Sequence, residues 1–329
     1  TFIYIYLLYT LYVIKIRYRY TSLSICVSLG GICMVQRKLI AFGKNSYVVS
    51  LPKNWITRNG LAKGDEINID ETFDMLVLST KNDLSLEESK IKRITPNNNP
   101  KCIVRKIINA YVNNYHIIEI RGDNLITYFD DVRNCVQDLL ALEVMELGPK
   151  KILIKDFLNT ADISLDNILK RIDMIIRAMF DETKEAIEDG LEVNLDSRDK
   201  DINRMFYVAN KLINKVLEKP KLAKDLKIPI KDILFKWRIL VSFEIIGDQL
   251  KRLIRLFKEL ENLTVKKNIL KVFLSLHKEY NKVVKSLYKL DKDLASEIID
   301  NKKDLLKSCD GLLNLLLKDC NNPHHVVNI

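Results

Sequence analysis

Two pairs of oxygen-bearing side chains stand out by their spacing. Asp199-x-x-x-Asn203 and Glu244-x-x-x-Asp248 each place two such groups on one face of a helix, one turn apart. Spacing alone proves nothing, because 43 acids in 329 residues give roughly five or six acid-x-x-x-acid pairs by chance. The context is more informative. Phe243-Glu-Ile-Ile-Gly-Asp248 lies mid-helix, and Gly247, which costs about 1 kcal/mol there against Ala, calls for the close approach of another helix or of a ligand. Acids so placed could serve a metal-dependent phosphohydrolase, but no nucleophile or positioned His accompanies them, which leaves that reaction a remote alternative to a non-enzymatic role.

Other reactive groups are sparse. The chain has four His; His116 sits at the mouth of a strand and reads as structural, and His324-His325 as part of a frayed tail. There is no G-x-G-x-x-G, no G-x-x-x-x-G-K-[ST], no H-E-x-x-H and no nucleophile motif. Six scattered Cys without a C-x-x-C pair indicate neither a zinc module nor a disulfide framework, so a reducing cytoplasm is the expected setting. A net charge of +10, 47% hydrophobic and 29% charged residues, and only 10 Gly and 7 Pro describe a folded, helix-rich chain.

Residues 1–33 differ from all that follows, with six of the thirteen Tyr falling in the first twenty positions. The apolar stretch Phe2–Ile14 is shorter than the ~20 residues of a spanning helix and lacks signal-peptide flanks, so no membrane span is expected. Residues 1–33 read as an upstream translated extension before a natural start at Met34, with an interfacial anchor as the second reading. Within 34–82, Arg37–Phe42 and Tyr47–Leu51 form a hairpin about Gly43-Lys-Asn-Ser46, Asn54–Asn59 makes one helical turn, and Glu66–Asp70 and Met75–Ser79 are two further strands. So few residues bury little alone, which predicts a dimer sharing one core.

Residues 83–160 alternate in type. Lys81–Asn99 reads as a linker with a strand at Ile91–Ile94, followed by a helix at Cys102–Asn114, a strand at His116–Ile120, a helix near Tyr128–Leu147 and a strand at Lys151–Lys155. That order predicts a β-α-β-α-β segment. From 161 to 320 the period is helical throughout, over Ser164–Gly190, Ser197–Lys219, Lys231–Leu260, Val265–Leu290 and Lys292–Leu317, ahead of a tail at 321–329. Long helices with short links predict an antiparallel bundle.

The string RKLIAFGKNSYVVSLPKNWITRNGLAKGDEINI resembles an AbrB/SpoVT-type swapped-hairpin domain, through G-x-x-S-x-x-V-x-L-P-K-x-W followed by G-L-x-x-G-D-E-I. The resemblance implies a dimer that either binds DNA or clamps two subunits together. In the DNA reading Arg37, Lys38, Lys44, Lys53 and Arg58 supply the positive face for phosphates; in the clamp reading they are solvated surface charge. Trp55 is read as core. The helical part resembles the PhoU family through Asp199-Lys-Asp-Ile-Asn203, Lys219-Pro220 to Asp225-Leu226, and Phe243-Glu-Ile-Ile-Gly-Asp248, well over about Ser164–Phe257 and loosely beyond. That resemblance implies divalent or ferric metal ions held by Asp199, Asn203, Glu244 and Asp248. It also implies a second three-helix repeat, whose last helix is not evident before the tail; either the gene model is altered at both ends or the bundle borrows a helix from a partner, and a second metal site is not expected in either case.

Taken together these expectations describe an α+β multidomain chain: a small swapped-hairpin β-barrel domain, an α/β middle segment and a C-terminal PhoU-like antiparallel helical bundle. The order looks like that of archaeal phosphate-uptake regulators. It implies a cytoplasmic, homodimeric, DNA-binding regulator of phosphate uptake with a metal-binding sensor bundle. The alternative is an accessory protein that docks on the ATPase of the phosphate ABC transporter and uses its N-terminal domain only as a dimer clamp.

Overall fold

Short-range chemistry sets most element boundaries in the computed structural model, which describes residues 36–44, 46–72, 75–80, 90–96, 99–160, 163–218, 230–260 and 262–319. Expectations for 1–33, 81–89, 220–229 and 321–329 fall outside the described residues. The chain is mixed α+β and divides into two compact units, one spanning Ser22–Glu88 and the other holding Ser89–Ile329.

In the smaller unit β1 (Ile40–Phe42) pairs antiparallel with β2 (Ser46–Val48) across a turn in which Gly43 has φ +72°. Ser46 Oγ donates back to the Phe42 carbonyl and closes that turn. Pro52, whose missing N–H costs nothing there, opens the short helix α1 (Lys53–Arg58). The Ala62 N–H donates to the Asp65 carboxylate at 2.7 Å and sets the turn that leads to β3 (Ile67–Thr72), which pairs antiparallel with β4 (Met75–Thr80). Two separate ribbons result, and among the described side chains of this unit only Thr80 is buried. Leu39, Ile40, Phe42, Tyr47, Val48, Val49, Ile69 and Leu76 are all exposed, Phe42 and Tyr47 to 69%. An isolated two-stranded ribbon is marginal in water, and this apolar surface is not covered by the described residues of the unit.

The larger unit begins with a four-stranded sheet. β5 (Ile91–Ile94) runs parallel to β6 (Ile117–Arg121), and β8 (Lys151–Asp156) lies antiparallel between β6 and β7 (Leu142–Leu147), giving the order β5-β6-β8-β7. Helix α2 (Pro100–Val112) starts with Asn99 accepting from the Lys101 N–H and Pro100 in its first turn. Ile103, Ile107 and Tyr111 of α2 pack against Ile118, Ile120, Ile152 and Ile154 of the strands. The expected helix near Tyr128–Leu147 requires correction. After a 3-10 turn at Leu125–Tyr128, helix α3 (Phe129–Gln137) stops, Ala141 turns left-handed with φ +58°, and Leu142–Leu147 is a strand. The sequence Asp138–Leu147 is rich in helix formers, but pairing with the buried strand β8 through the Gly148-Pro149 hairpin overrides that preference, so the segment is β-α-β-α-β-β.

Among the described residues the helices that follow are α4 (Leu165–Asp189), α5 (Asp196–Glu218), α6 (Ile230–Glu259), α7 (Leu263–Lys289), α8 (Lys292–Asp300) and α9 (Lys302–Asp319). Ser164, Asn262 and Asp291 cap α4, α7 and α8 by accepting first-turn N–H groups. Helices α4, α5 and α6 pack on one another, α4 also on α7, and α7 carries α8 and α9. The single helix expected over Lys292–Leu317 is broken at Asn301, because the buried stripe of Ala295 and Ile298 resumes only at Leu305, with polar Asn301 and Lys302 where its next turn falls. No helix among the described residues is long and apolar enough to cross a membrane.

Helix α5 joins sheet to bundle. Lys211 Nζ lies 2.5 Å from Asp156 Oδ2 at the end of β8, both side chains 3% exposed, and donates to the Tyr111 carbonyl at 2.9 Å. Asn114 donates to the Lys211 carbonyl, Asn214 to the Val112 carbonyl and Lys215 to Thr160 Oγ1. Removing one member of such a pair leaves an uncompensated buried charge and costs about 3–5 kcal/mol. Lys211→Ala and Asp156→Ala are therefore expected each to lower unfolding free energy by that order, measured in urea, while Lys211→Met with Asp156→Asn restores at least half the loss. Strictly additive losses in the double variant would refute the coupling.

Candidate functional site

The acid-bearing faces of α5 and α6 meet because Gly247 lets them. A Cβ on Gly247 would lie 2.7 Å from Ile202 Cδ1 of α5, so the missing side chain is what admits the neighbouring helix. Ile202 directly precedes Asn203, one of the expected donors, and lies within one turn of Asp199. The four expected residues come together at this crossing. Asn203 Nδ2 donates to Asp199 Oδ2 at 3.4 Å, and the charge of Asp199 acts on both Glu244 and Asp248.

Crowding of like charges under partial burial shows in their proton affinities. Burial first, then the charges of Asp248 and Asp199, push the Glu244 carboxyl up to about 7. Asp248 is raised as well, by burial and by a hydrogen bond with Asp199 and its charge, against the pull of Lys251 and Arg252. Asp199 itself is 7% exposed.

Three residues not singled out from the sequence complete the cluster. Lys251 Nζ donates to Asp199 Oδ2 at 2.6 Å and lies 3.3 Å from Asp196 Oδ1, which Arg255 Nη2 also reaches at 2.9 Å. Burial alone would lower the Lys251 ammonium, but the hydrogen bonds and charges of Asp199 and Asp196 outweigh it and raise it. The hydrogen bond from Lys251 holds Asp196 below the usual carboxylate range. A signal was available: Lys251 lies seven residues after Glu244 and three after Asp248, and Asp196 three before Asp199, all on the same helix faces.

The donor chemistry, three carboxylates and an amide oxygen, is of the kind that hard cations take. The arrangement is nevertheless closed around an ammonium: among the described residues no group of three or more His, Cys, Asp or Glu is arranged to hold a metal ion. His116 directly precedes β6, where its N–H donates to the Lys90 carbonyl ahead of β5 and its carbonyl accepts from the Asp156 N–H. Cys102, Cys135 and Cys309 are free thiols, and burial first, then the charge of Asp138, pushes Cys135 up to about 12.

The expected basic residues lie in the smaller unit, Arg37 and Lys38 ahead of β1, Lys44 in the β1–β2 turn, and Lys53 and Arg58 as the first and last residues of α1. All five are exposed, and Trp55 is half-buried between the last two.

A carboxyl whose folded value is raised favours the folded state only when protonated. Its penalty is absent below about pH 4.5 and fully in force above about pH 7. Glu244→Gln is therefore expected to stabilise the protein more at pH 8 than at pH 5, on the order of 1 kcal/mol once solvent screening is discounted. Thermal melts at the two pH values check it; an equal shift at both would contradict the site electrostatics.

Comparison with known proteins places the smaller unit. Residues 40–84 match the family model described as antidote-toxin recognition MazE, bacterial antitoxin, which supports an AbrB/MazE-like hairpin domain over that stretch. No curated protein and no solved structure matches the chain.

Proposed function

We propose that the protein is a homodimeric DNA-binding regulator of phosphate uptake, in which the hairpin unit contacts DNA and the helical part responds to a cation linked to phosphate status. The observation that carries the DNA half is the hairpin unit itself. It matches a family whose domains are typically DNA-binding dimers, it exposes five Lys/Arg on β1–α1, and it leaves its apolar residues without a core. Two copies closing over those residues bury them and bring ten cationic side chains onto one dimer, the arrangement that phosphate contacts require.

The sensor half rests on the crossing of α5 and α6. Carboxylates held against one another at Glu244 and Asp248 bind protons more readily than free acids do. The same crowding favours any cation that reaches them, and oxygen donors on facing helices suit divalent or ferric ions. Asp199, Asn203, Glu244 and Asp248 would hold such an ion, which would supply the positive charge that orders the helix pair.

The test is a salt titration of binding between the protein and its own upstream promoter, beside a scrambled duplex. Tighter binding to the promoter at ~150 mM salt is expected, and Lys44→Glu with Lys53→Glu should weaken binding to both duplexes and flatten the salt dependence. Weak, equal binding that vanishes with salt would leave the hairpin unit a dimer clamp and move the search to the transporter ATPase. An unaltered salt slope in the double variant would show that these lysines touch no phosphate.

A further inference from the structure

We infer that the outer face of the four-stranded sheet pairs with the same face of a second copy of this chain. Helices α2 and α3 cover one side of the sheet, where Ile94, Ile118, Ile120, Ile152 and Ile154 are buried in the core they share with it. Strand side chains alternate, so the residues between these line the other side. Register sets Arg93, Glu119, Leu153 and Glu146 in one row across all four strands, and Ile91, Ile117, Lys155 and Glu143 in the next. Among the described residues this side stays largely open: the Arg93 side chain is 77% exposed, Ile91 49% and, just past β8, Phe157 52%. Lys155 lies over the Phe157 ring, 4.9 Å from its centroid.

The pattern of charge selects the occupant. Arg93 and Arg121 both reach Glu119, at 3.4 and 2.7 Å, and Lys151 reaches Glu146 at 2.5 Å, so cations and acids are interspersed across the face. A nucleic acid favours cations without acids between them. The two outer strands differ in sign, since β5 presents Arg93 on this side and β7 presents Glu143 and Glu146. When two copies stack face to face about a two-fold axis that runs along the strands, β5 of each lies over β7 of the other. Arg93 then meets the acidic strand of the partner, the contact occurs twice, and the exposed apolar area of Ile91 and Phe157 is taken out of water. An axis across the strands would instead set Arg93 on Arg93 and the glutamates on one another. Four short strands make a small face beside the ~800 Å² per partner of an ordinary stable interface. β5 follows β4 by only ten residues, 81–90, so a dimer through the hairpin unit holds the two sheets at an effective concentration that a modest face can use. The sheet contact thus extends the homodimer proposed above and rests on it for part of its strength.

The experiment uses the full chain in two charge-reversed forms, Arg93→Glu and Glu143→Lys with Glu146→Lys, each alone and then mixed and refolded together. Alone, each is expected to dimerise about tenfold more weakly than the wild type by sedimentation equilibrium, because like charges then face one another twice. Refolded together, they are expected to regain wild-type affinity and to give heterodimers well above the half that random pairing yields, read by native mass spectrometry. Arg93→Gln, and Glu143→Gln with Glu146→Gln, remove charge without reversing it; they should weaken dimerisation less, and they carry the test where far-UV circular dichroism shows a reversed form unfolded. Wild-type dimerisation in every variant with random pairing in the mixture would overturn the sheet contact and leave the hairpin dimer standing. Reversed forms that are monomeric alone yet pair when mixed would show the sheet contact holding the dimer without the hairpin unit. A wild type that stays monomeric at every concentration would overturn both.

Discussion

The ion pair between Lys211 and Asp156 is the joint on which the larger unit depends. Two charges removed from water are tolerated only where geometry and further hydrogen bonds compensate their desolvation. Here the ammonium meets a carboxylate at 2.5 Å and a main-chain carbonyl at 2.9 Å, while Asp156 Oδ1 accepts the Leu158 N–H. The pair has little tolerance for displacement. It therefore fixes α5 against the strand β8 and the end of α2, and every other polar bridge along α5 follows in register. Arg204 reaches the Gln137 carbonyl at 2.7 Å, and Lys90 pairs with Glu218 at the far end of the helix.

Once α5 is pinned along one face, its other face has a fixed place too. Asp199 and Ile202 are presented to α6, and Gly247 allows the backbones to approach until Ile202 fills the space where a Cβ would be. Helices this close force their acids into one another's field. A stability-optimised crossing would use apolar residues or alternate the charges. This one instead carries Asp199, Glu244 and Asp248, raises the proton affinity of the last two, and balances the first with Lys251. Such an arrangement costs stability, and proton uptake at Glu244 and Asp248 relieves it.

Much of this was legible in the sequence. Helical periods in α4 to α7 were long, and their caps and breakers were local, so those ends were readable from Ser164, Gly190 and Asn262. The pairing of the two acid motifs could be suspected from Gly247, whose lack of a side chain mid-helix demanded a neighbour. What could not be read was decided at a distance. Leu142–Leu147 is a strand because β8 lies beside it, although its own residues favour helix. Lys211 and Asp156 are 55 positions apart and nothing in either neighbourhood marks them as partners. Lys251 carried a spacing signal, but a lysine on a basic helix surface looks like solubility until Asp199 is seen 2.6 Å away.

The hairpin unit poses the opposite problem from the larger one, since its order comes from turns and only Thr80 is buried among its described side chains. Gly43, Pro52 and Asp65 fix ribbons and a helical turn with local bonds alone, yet none of the apolar side chains they display, Phe42 and Tyr47 among them, is buried. Hydrophobic burial is the dominant favourable term in folding, and the described side chains of this unit bury almost nothing among themselves. The surface that would supply it must be apolar, of similar extent and always at hand. A second copy of the same ribbons meets all three conditions, and a two-fold pairing makes the patch its own complement. In the homodimer proposed above, folding and dimerisation of this unit are one equilibrium, and its stability is then expected to depend on chain concentration, whereas the larger unit has cores of its own.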